Sequence, residues 1–97
     1  MDPKQPVLGV DIGGSSIKFC LFDSNRIVAH STKEYVNEKT PDAIENIISE
    51  VIEDWKHIGG IGIGFPGLVE EGTIVDAPNL DSKWEGYNLS AQFLSLI

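Results

Sequence analysis

Three short segments near the start of the chain have the apolar pattern of β-strands. Residues 7–12 (VLGVDI) form an apolar run that ends at a double glycine, and residues 17–23 alternate apolar and less apolar positions. Residues 26–34 follow an Asp-Ser-Asn sequence, which is a turn signal. Because both connections are short enough for hairpins, the pattern predicts a meander of three antiparallel strands.

The next segment has the apolar spacing of an amphipathic helix. Thr40 is a suitable N-cap, and Pro41 suits the first helical position. The apolar residues that follow recur at intervals of three and four, so they form one stripe of a helix. These residues are Ile44, Ile47, Ile48, Val51, Ile52 and Trp55. The pattern predicts a helix that ends at the Gly59-Gly60 pair, because glycine commonly follows the last helical residue.

Glycine alternates with apolar residues along the predicted strand at residues 60–65 (GIGIGF). One face of this strand therefore lacks side chains, which suggests that another group approaches its backbone closely. Residues 68–75 predict a hairpin with Gly72 in its turn. Residues 76–86 are irregular, and a last helix is predicted from residue 89 to residue 97, with Asn88 as its cap.

Length and composition place the chain among small globular domains. The 97 residues are 41% apolar, and the net charge is −8. An acidic chain without a basic patch is not expected to bind nucleic acid. No segment approaches the roughly 20 apolar residues of a membrane span, so no membrane association is expected. The single cysteine, Cys20, favours a reduced, cytoplasmic protein.

The loop after the first strand combines residues that suit phosphate and a metal ion. Asp11 ends the strand, and its carboxylate could hold a hydrated Mg²⁺. Glycines permit positive φ and let a phosphate approach the backbone amides, while serines add hydroxyl donors. The candidate phosphate-binding residues are Asp11, Gly13, Gly14, Ser15, Ser16 and Lys18. The alternative is a tight hairpin turn in which the aspartate stabilises its own loop and Lys18 is an exposed strand residue.

A second group of candidate residues lies in two turn-forming segments after the glycine-rich strand. Gly67, in Phe-Pro-Gly, would let a sugar ring approach the backbone, and Asn79, in Ala-Pro-Asn, offers a donor and an acceptor to a sugar hydroxyl. Ordinary turns explain the same residues. Trp84 has two interpretations, stacking on a sugar or a second domain, and simple packing in the core.

Taken together and in this order, the motifs resemble the ROK family of sugar kinases and repressors. The resemblance is carried by VLGVDIGGSSIK at residues 7–18, IGIGFPG at 61–67 and GTIVDAPN at 72–79. Within the family, residues 40–43 (TPDA) and the spacing of residues 79–88 (NLDSKWEGYN) resemble the polyphosphate/ATP glucokinases.

The resemblance implies the ribonuclease-H-like lobe of the actin-like, hexokinase-like ATPase fold. It assigns the first loop to ATP or polyphosphate with Mg²⁺ bound at Asp11, and Gly67 and Asn79 to a hexose, with glucose favoured. The family's general base is an aspartate of an Asn-Asp pair on a later strand, and residues 1–97 contain no such pair. We therefore expect an incomplete amino-terminal lobe, truncated before that strand and the second lobe, which is inactive alone.

Two other functions are compatible with the same residues. One is a non-catalytic fragment that binds sugar or phosphate, or that forms a homodimer through an exposed sheet edge. The other is a piece of a ROK-type sugar-responsive regulator. Only six residues precede Val7, which leaves no room here for a DNA-binding helix-turn-helix, so the kinase is favoured over the regulator.

Overall fold

A computed structural model describes residues 5–35, 39–78 and 80–96, which form a mixed α/β structure. Its elements are β1 (Val7–Ile12), β2 (Ser16–Asp23), β3 (Arg26–Glu34), α1 (Pro41–Trp55), β4 (Gly60–Gly64), β5 (Leu68–Glu70), β6 (Thr73–Asp76), a 3₁₀ turn (Ser82–Trp84) and α2 (Leu89–Leu94). The predicted order of strands and helices is confirmed.

The main sheet has four strands in the order β3-β2-β1-β4. β1, β2 and β3 pair antiparallel as the predicted meander, and β4 pairs parallel to β1. A parallel neighbour requires a crossover, and α1 supplies it. β5 and β6 form a separate two-stranded hairpin.

The core lies between α1 and one face of the sheet. Thr40 caps α1 by accepting a hydrogen bond from the Ala43 N–H, and Pro41 occupies the first turn, as predicted. Alternate residues of β1 and β2 pack against the apolar face of α1 and against residues from β6 to α2. The buried apolar cluster comprises Leu8, Val10, Ile12, Ile17, Phe19, Ile44, Ile48, Val51, Ile74, Ala77, Trp84, Leu89 and Phe93.

The C-terminus of α1 differs from the prediction. The helix ends at Trp55 rather than at Gly59, and the next two residues, Lys56 and His57, have φ values of 39° and 54°. The Lys56 N–H donates the last hydrogen bond of the helix, to the Ile52 carbonyl. The positive φ values that end the helix are thus adopted by residues other than glycine. Gly59 instead donates its N–H to the Pro6 carbonyl at 2.8 Å and leads into β4.

No helix in the described ranges is both long and apolar enough to cross a membrane.

Two tight turns close the hairpins. Ser24 and Asn25 join β2 to β3 with φ values of 51° and 67°, and Glu71 and Gly72 join β5 to β6 with values of 49° and 84°. Two consecutive positive φ values match the twist of a two-residue hairpin. The prediction of Gly72 in the turn is therefore confirmed. α2 begins after Asn88, as predicted, and ends at Leu94; the last residue of the predicted helix, residue 97, lies outside the described residues.

We expect Ile48→Val to lower the free energy of unfolding by about 0.5–1.5 kcal/mol, because Ile48 is fully buried and the lost methyl leaves a small cavity. Ile27→Val is the matched control, since Ile27 is 59% exposed on β3, and its effect should stay within about 0.5 kcal/mol. Urea denaturation followed by circular dichroism measures both. Equal losses would contradict the placement of the core.

Candidate functional site

Two loops leave the main sheet at the same edge and define the candidate site. Asp11 near the end of β1 is paired with Gly64 at the end of the parallel strand β4. The segment 13–15 follows β1, and Pro66-Gly67 follows β4. Ligands of open α/β sheets bind beyond the carboxyl ends of parallel strands, and this edge is such a place. The structure therefore brings the predicted phosphate loop and one predicted sugar segment to one edge.

The phosphate-loop candidate is a hairpin turn between β1 and β2. The Gly13 N–H donates to the Ser16 carbonyl at 2.9 Å, and Gly14 and Ser15 form the exposed tip. The turn does not use the positive φ that glycine permits, because neither Gly13 nor Gly14 has a left-handed backbone. The need for Gly13 is steric, since a Cβ there would lie 2.9 Å from the Ser16 carbonyl oxygen.

Asp11 is exposed on the face of the sheet opposite α1, beside this loop. Its Oδ1 would lie 3.3 Å from a Cβ at position 64, so Gly64 leaves room for the carboxylate. The described residues contain no group of three or more acidic, histidine or cysteine side chains able to hold a metal. A cation at Asp11 would depend on one carboxylate, water and ligand oxygens, which is a coordination that Mg²⁺ accepts.

Lys18 lies on the same open face and is not part of the loop. It is the cross-strand neighbour of Asp11, and both line a shallow cavity of about 450 Å³ with Cys20 and Phe22. The floor of the cavity includes Gly62 of β4. Lys18 is thus near the metal candidate, while Ser15 is in the loop itself and Ser16 is the first residue of β2.

Two residues that the sequence reasoning missed hold the carbonyl groups of the loop. The Tyr35 hydroxyl donates to the Gly13 carbonyl at 2.6 Å, and the Lys39 ammonium donates to the Gly14 carbonyl. The Lys39 Nζ also lies 5.4 Å from the centroid of the Tyr35 ring. The β2–β3 register places Tyr35 here, because Ser16 pairs with Glu34 and the next residue is Tyr35, and this register includes a shift that has no sequence signal.

Tyr35 has a perturbed acidity. Partial burial, and to a smaller extent the negative charge of Asp11, raise the pKa of the Tyr35 hydroxyl to about 12. Both causes disfavour the phenolate. The hydroxyl therefore remains a hydrogen-bond donor to Gly13 throughout the physiological range.

The Pro-Gly turn is tightly enclosed by the β5–β6 hairpin. A Cβ at Gly67 would lie 2.1 Å from the Asp76 carbonyl oxygen and 3.2 Å from the Ala77 Cα. The chain at Gly67 is thus fixed by close backbone approach, while the residue itself stays exposed. The other sugar candidate, Asn79, lies outside the described residues.

Trp84 is packed in the core and is fully buried. Its ring centroid lies 5.0 Å from that of Phe65 and 5.1 Å from that of Tyr87. Its indole N–H donates to the Lys39 carbonyl at 2.6 Å. The packing interpretation of Trp84 is confirmed, and the indole connects the segment after the hairpin to the residue that binds Gly14.

We expect Gly67→Ala to destabilise the chain by about 1–3 kcal/mol, because the new Cβ would overlap the Asp76 carbonyl oxygen. Gly62→Ala is the control, since nothing lies within 4 Å of a Cβ there. A glycine in a strand interior costs about 0.5–1 kcal/mol relative to alanine, so this control should be neutral or stabilising. Thermal unfolding of both variants checks the difference, and an equal response would contradict the close approach.

We expect the Tyr35 hydroxyl to titrate near pH 12 in the folded chain, against about 10 after unfolding in urea. Because the folded-state pKa is the higher one, the associated stability is complete below about pH 10 and is lost as the pH rises towards 12. The ¹³Cζ shift of Tyr35 measures the midpoint. Asp11→Asn should lower it while leaving it above 10, since burial is the larger cause; an unchanged midpoint would exclude the influence of Asp11.

Comparison with known proteins gives one consistent family. The model of the ROK family matches residues 7–95. The polyphosphate glucokinase of Mycobacterium tuberculosis is 32% identical over 83 residues, which cover 82% of this chain and 31% of that protein. The xylose repressor of Caldicellulosiruptor bescii is 34% identical over 96 residues, covering 86% of this chain and 23% of the repressor.

A solved structure has the same fold. The ROK family glucokinase from Streptomyces griseus, in complex with glucose and AMPPNP, superposes with a TM-score of 0.78 at 26% identity, over 95% of this chain and 30% of that one. The chain thus spans about a third or less of the length of these relatives. The four-stranded sheet with its crossover helix is part of the ribonuclease-H-like lobe of the actin-like ATPase fold. With the match extending over residues 7–95, the chain belongs to the ROK family.

Proposed function

We propose that this chain forms the donor-phosphate side, and part of the sugar side, of a hexose kinase that transfers a phosphoryl group from ATP or polyphosphate to glucose. The observation that carries the proposal is the pairing of Asp11 with Gly64, which brings the 13–15 loop and the Pro66-Gly67 turn to one edge of the sheet. The names of the relatives support the choice of donor and sugar, since they include a polyphosphate glucokinase and a glucokinase bound to glucose and AMPPNP.

The donor side is supported by the exposed amides of the loop. The N–H groups of Gly14 and Ser15 donate to no other residue in the described ranges, and both residues are exposed. Adjacent backbone N–H groups in a turn bind phosphate oxygens without any positive side chain. Asp11 would hold Mg²⁺ next to them, and the bound ion would neutralise charge on the donor phosphates.

The sugar side is proposed for the segment that starts at Gly67 and includes Asn79. Gly67 is held against β6 and remains exposed, so it presents backbone to a ligand. The role of Asn79 follows from the family resemblance and from its amide, which can both donate to and accept from a hydroxyl.

Phosphoryl transfer requires little covalent chemistry from the protein. It depends on orienting donor and acceptor and on neutralising charge at the transferred group. In this chain the loop amides would orient the donor, and Gly67 and Asn79 would orient the hexose. The resemblance assigns the proton-accepting aspartate to a later strand, so we propose that residues 1–97 bind donor without transferring it. The proposed setting is the cytoplasm, where a reduced Cys20 is expected.

A sugar-binding regulator is the second candidate, and the 34% identity to a xylose repressor favours it. The two functions differ in what the loop must bind. A kinase lobe binds Mg²⁺ with a phosphate chain, whereas a sugar-responsive regulator needs only the sugar. Titration with magnesium tripolyphosphate and with glucose, each alone, separates them: binding of glucose without any binding of tripolyphosphate would favour the regulator.

We expect Asp11→Asn to abolish the gain in tripolyphosphate affinity that Mg²⁺ provides. With Mg²⁺ present, the wild-type chain should bind about tenfold or more tightly than the variant, because a charge-assisted contact contributes about 1.5–3 kcal/mol. Without Mg²⁺ the variant should bind equally well or better, since a carboxylate repels phosphate. Isothermal titration calorimetry with and without Mg²⁺ measures the four affinities.

Asp54→Asn is the matched control for the change in net charge. Asp54 is exposed near the end of α1 and contributes nothing to the loop, so its affinities should equal those of the wild type in both buffers. If Mg²⁺ still increases the tripolyphosphate affinity of Asp11→Asn, Asp11 is excluded as the metal ligand. If the wild-type chain does not bind tripolyphosphate at all, the proposed donor site is wrong.

A further inference from the structure

We propose that Tyr35 and Lys39 are positioning residues of the phosphate loop, which fix its two exposed N–H groups by binding the carbonyl oxygens of the same peptides. The inference rests on the proposed function and deepens it. Both contacts are direct, from the Tyr35 hydroxyl to the Gly13 carbonyl and from the Lys39 ammonium to the Gly14 carbonyl. Neither residue lies within residues 7–18, whose motif suggested the loop.

Peptide geometry explains how a contact at a carbonyl controls an amide. The Gly13 carbonyl and the Gly14 N–H belong to one peptide, and the Gly14 carbonyl and the Ser15 N–H belong to the next. All described peptides are trans, so each N–H points away from its own carbonyl oxygen. When Tyr35 and Lys39 bind the two oxygens, the two N–H groups are directed to the opposite side. Glycine has the largest conformational freedom, so this tip needs such support.

The supports are themselves fixed by the core. The Lys39 carbonyl accepts the indole N–H of the fully buried Trp84, and Thr40, which follows it, caps α1. Tyr35 follows the last residue of β3 and is partly buried. The loop tip is thus connected by hydrogen bonds to the meander through Tyr35 and to the segment after the hairpin through Lys39 and Trp84. The ammonium of Lys39 lies on the carbonyl side of the tip, so its positive charge acts on an anionic donor through space and not by contact.

Tyr35→Phe tests the hydroxyl while keeping the ring beside Lys39. In the ligand-free chain, ¹⁵N relaxation should show order parameters at Gly14 and Ser15 falling from a rigid value of about 0.85 towards about 0.6. The affinity for magnesium tripolyphosphate should fall about 2- to 10-fold, the effect of one neutral hydrogen bond.

Lys39→Gln should weaken binding in a salt-dependent way, and Lys39→Arg, which keeps the charge, should restore most of it.

Tyr87→Phe is the matched control, because it removes a hydroxyl that donates to the Glu45 carboxylate and lies outside the loop. Its stability should change, while loop order and tripolyphosphate affinity should equal those of the wild type. The same result for Tyr35→Phe, with unchanged loop order, would overturn the positioning role. The relaxation measurement needs no ligand, so it tests the role of Tyr35 independently of the donor site. If the wild-type chain fails to bind tripolyphosphate, only the proposed donor site is refuted.

Discussion

Every part of the candidate site depends on β1 having an antiparallel partner on one side and a parallel partner on the other. The antiparallel pairing with β2 closes the loop at residues 13–15, and the parallel pairing with β4 ends a second strand beside Asp11. A parallel pair requires a crossover, so α1 is part of the same constraint. If β4 were instead joined as another hairpin, its following turn would leave at the opposite edge, and Pro66-Gly67 would lie far from the loop.

Three glycines of the site have a close neighbour and no special backbone angle, whereas a Cβ at Gly14 would meet nothing within 4 Å. Gly13 is limited by the Ser16 carbonyl, Gly64 by the Asp11 carboxylate and Gly67 by the backbone of β6. Left-handed conformations occur elsewhere, and several are adopted by polar non-glycine residues at turns, such as Asn25. The glycine motif therefore reflects how closely strands, turns and a carboxylate approach one another at this edge. The residues with positive φ, in contrast, mark the turns of the hairpins.

Apolar periodicity predicted the meander, the start of α1 and the core, because periodicity records which face of an element is buried. The double glycine predicted the turn between β1 and β2, while the roles assigned to the loop and to Asp11 stay predictions. The contacts of Tyr35 could not be predicted in this way, because they depend on a shift in pairing between Leu21 and Phe22. Without that shift Ser16 would face Lys33, and a slip of one residue turns every side chain to the other face. Irregularities of this kind have no periodic signal.

Charge explains why loop geometry matters so much in this chain. With a net charge of −8 and a carboxylate at the loop, the overall field repels a polyphosphate donor. Under the proposed function, binding would depend on short-range groups, which are the amides of Gly14 and Ser15 and a cation at Asp11. Such contacts weaken steeply with misalignment, in contrast to a diffuse positive field. A donor site of the proposed kind would gain affinity chiefly by holding its loop in one conformation, and the hydrogen bonds at the two glycine carbonyls would provide that restraint.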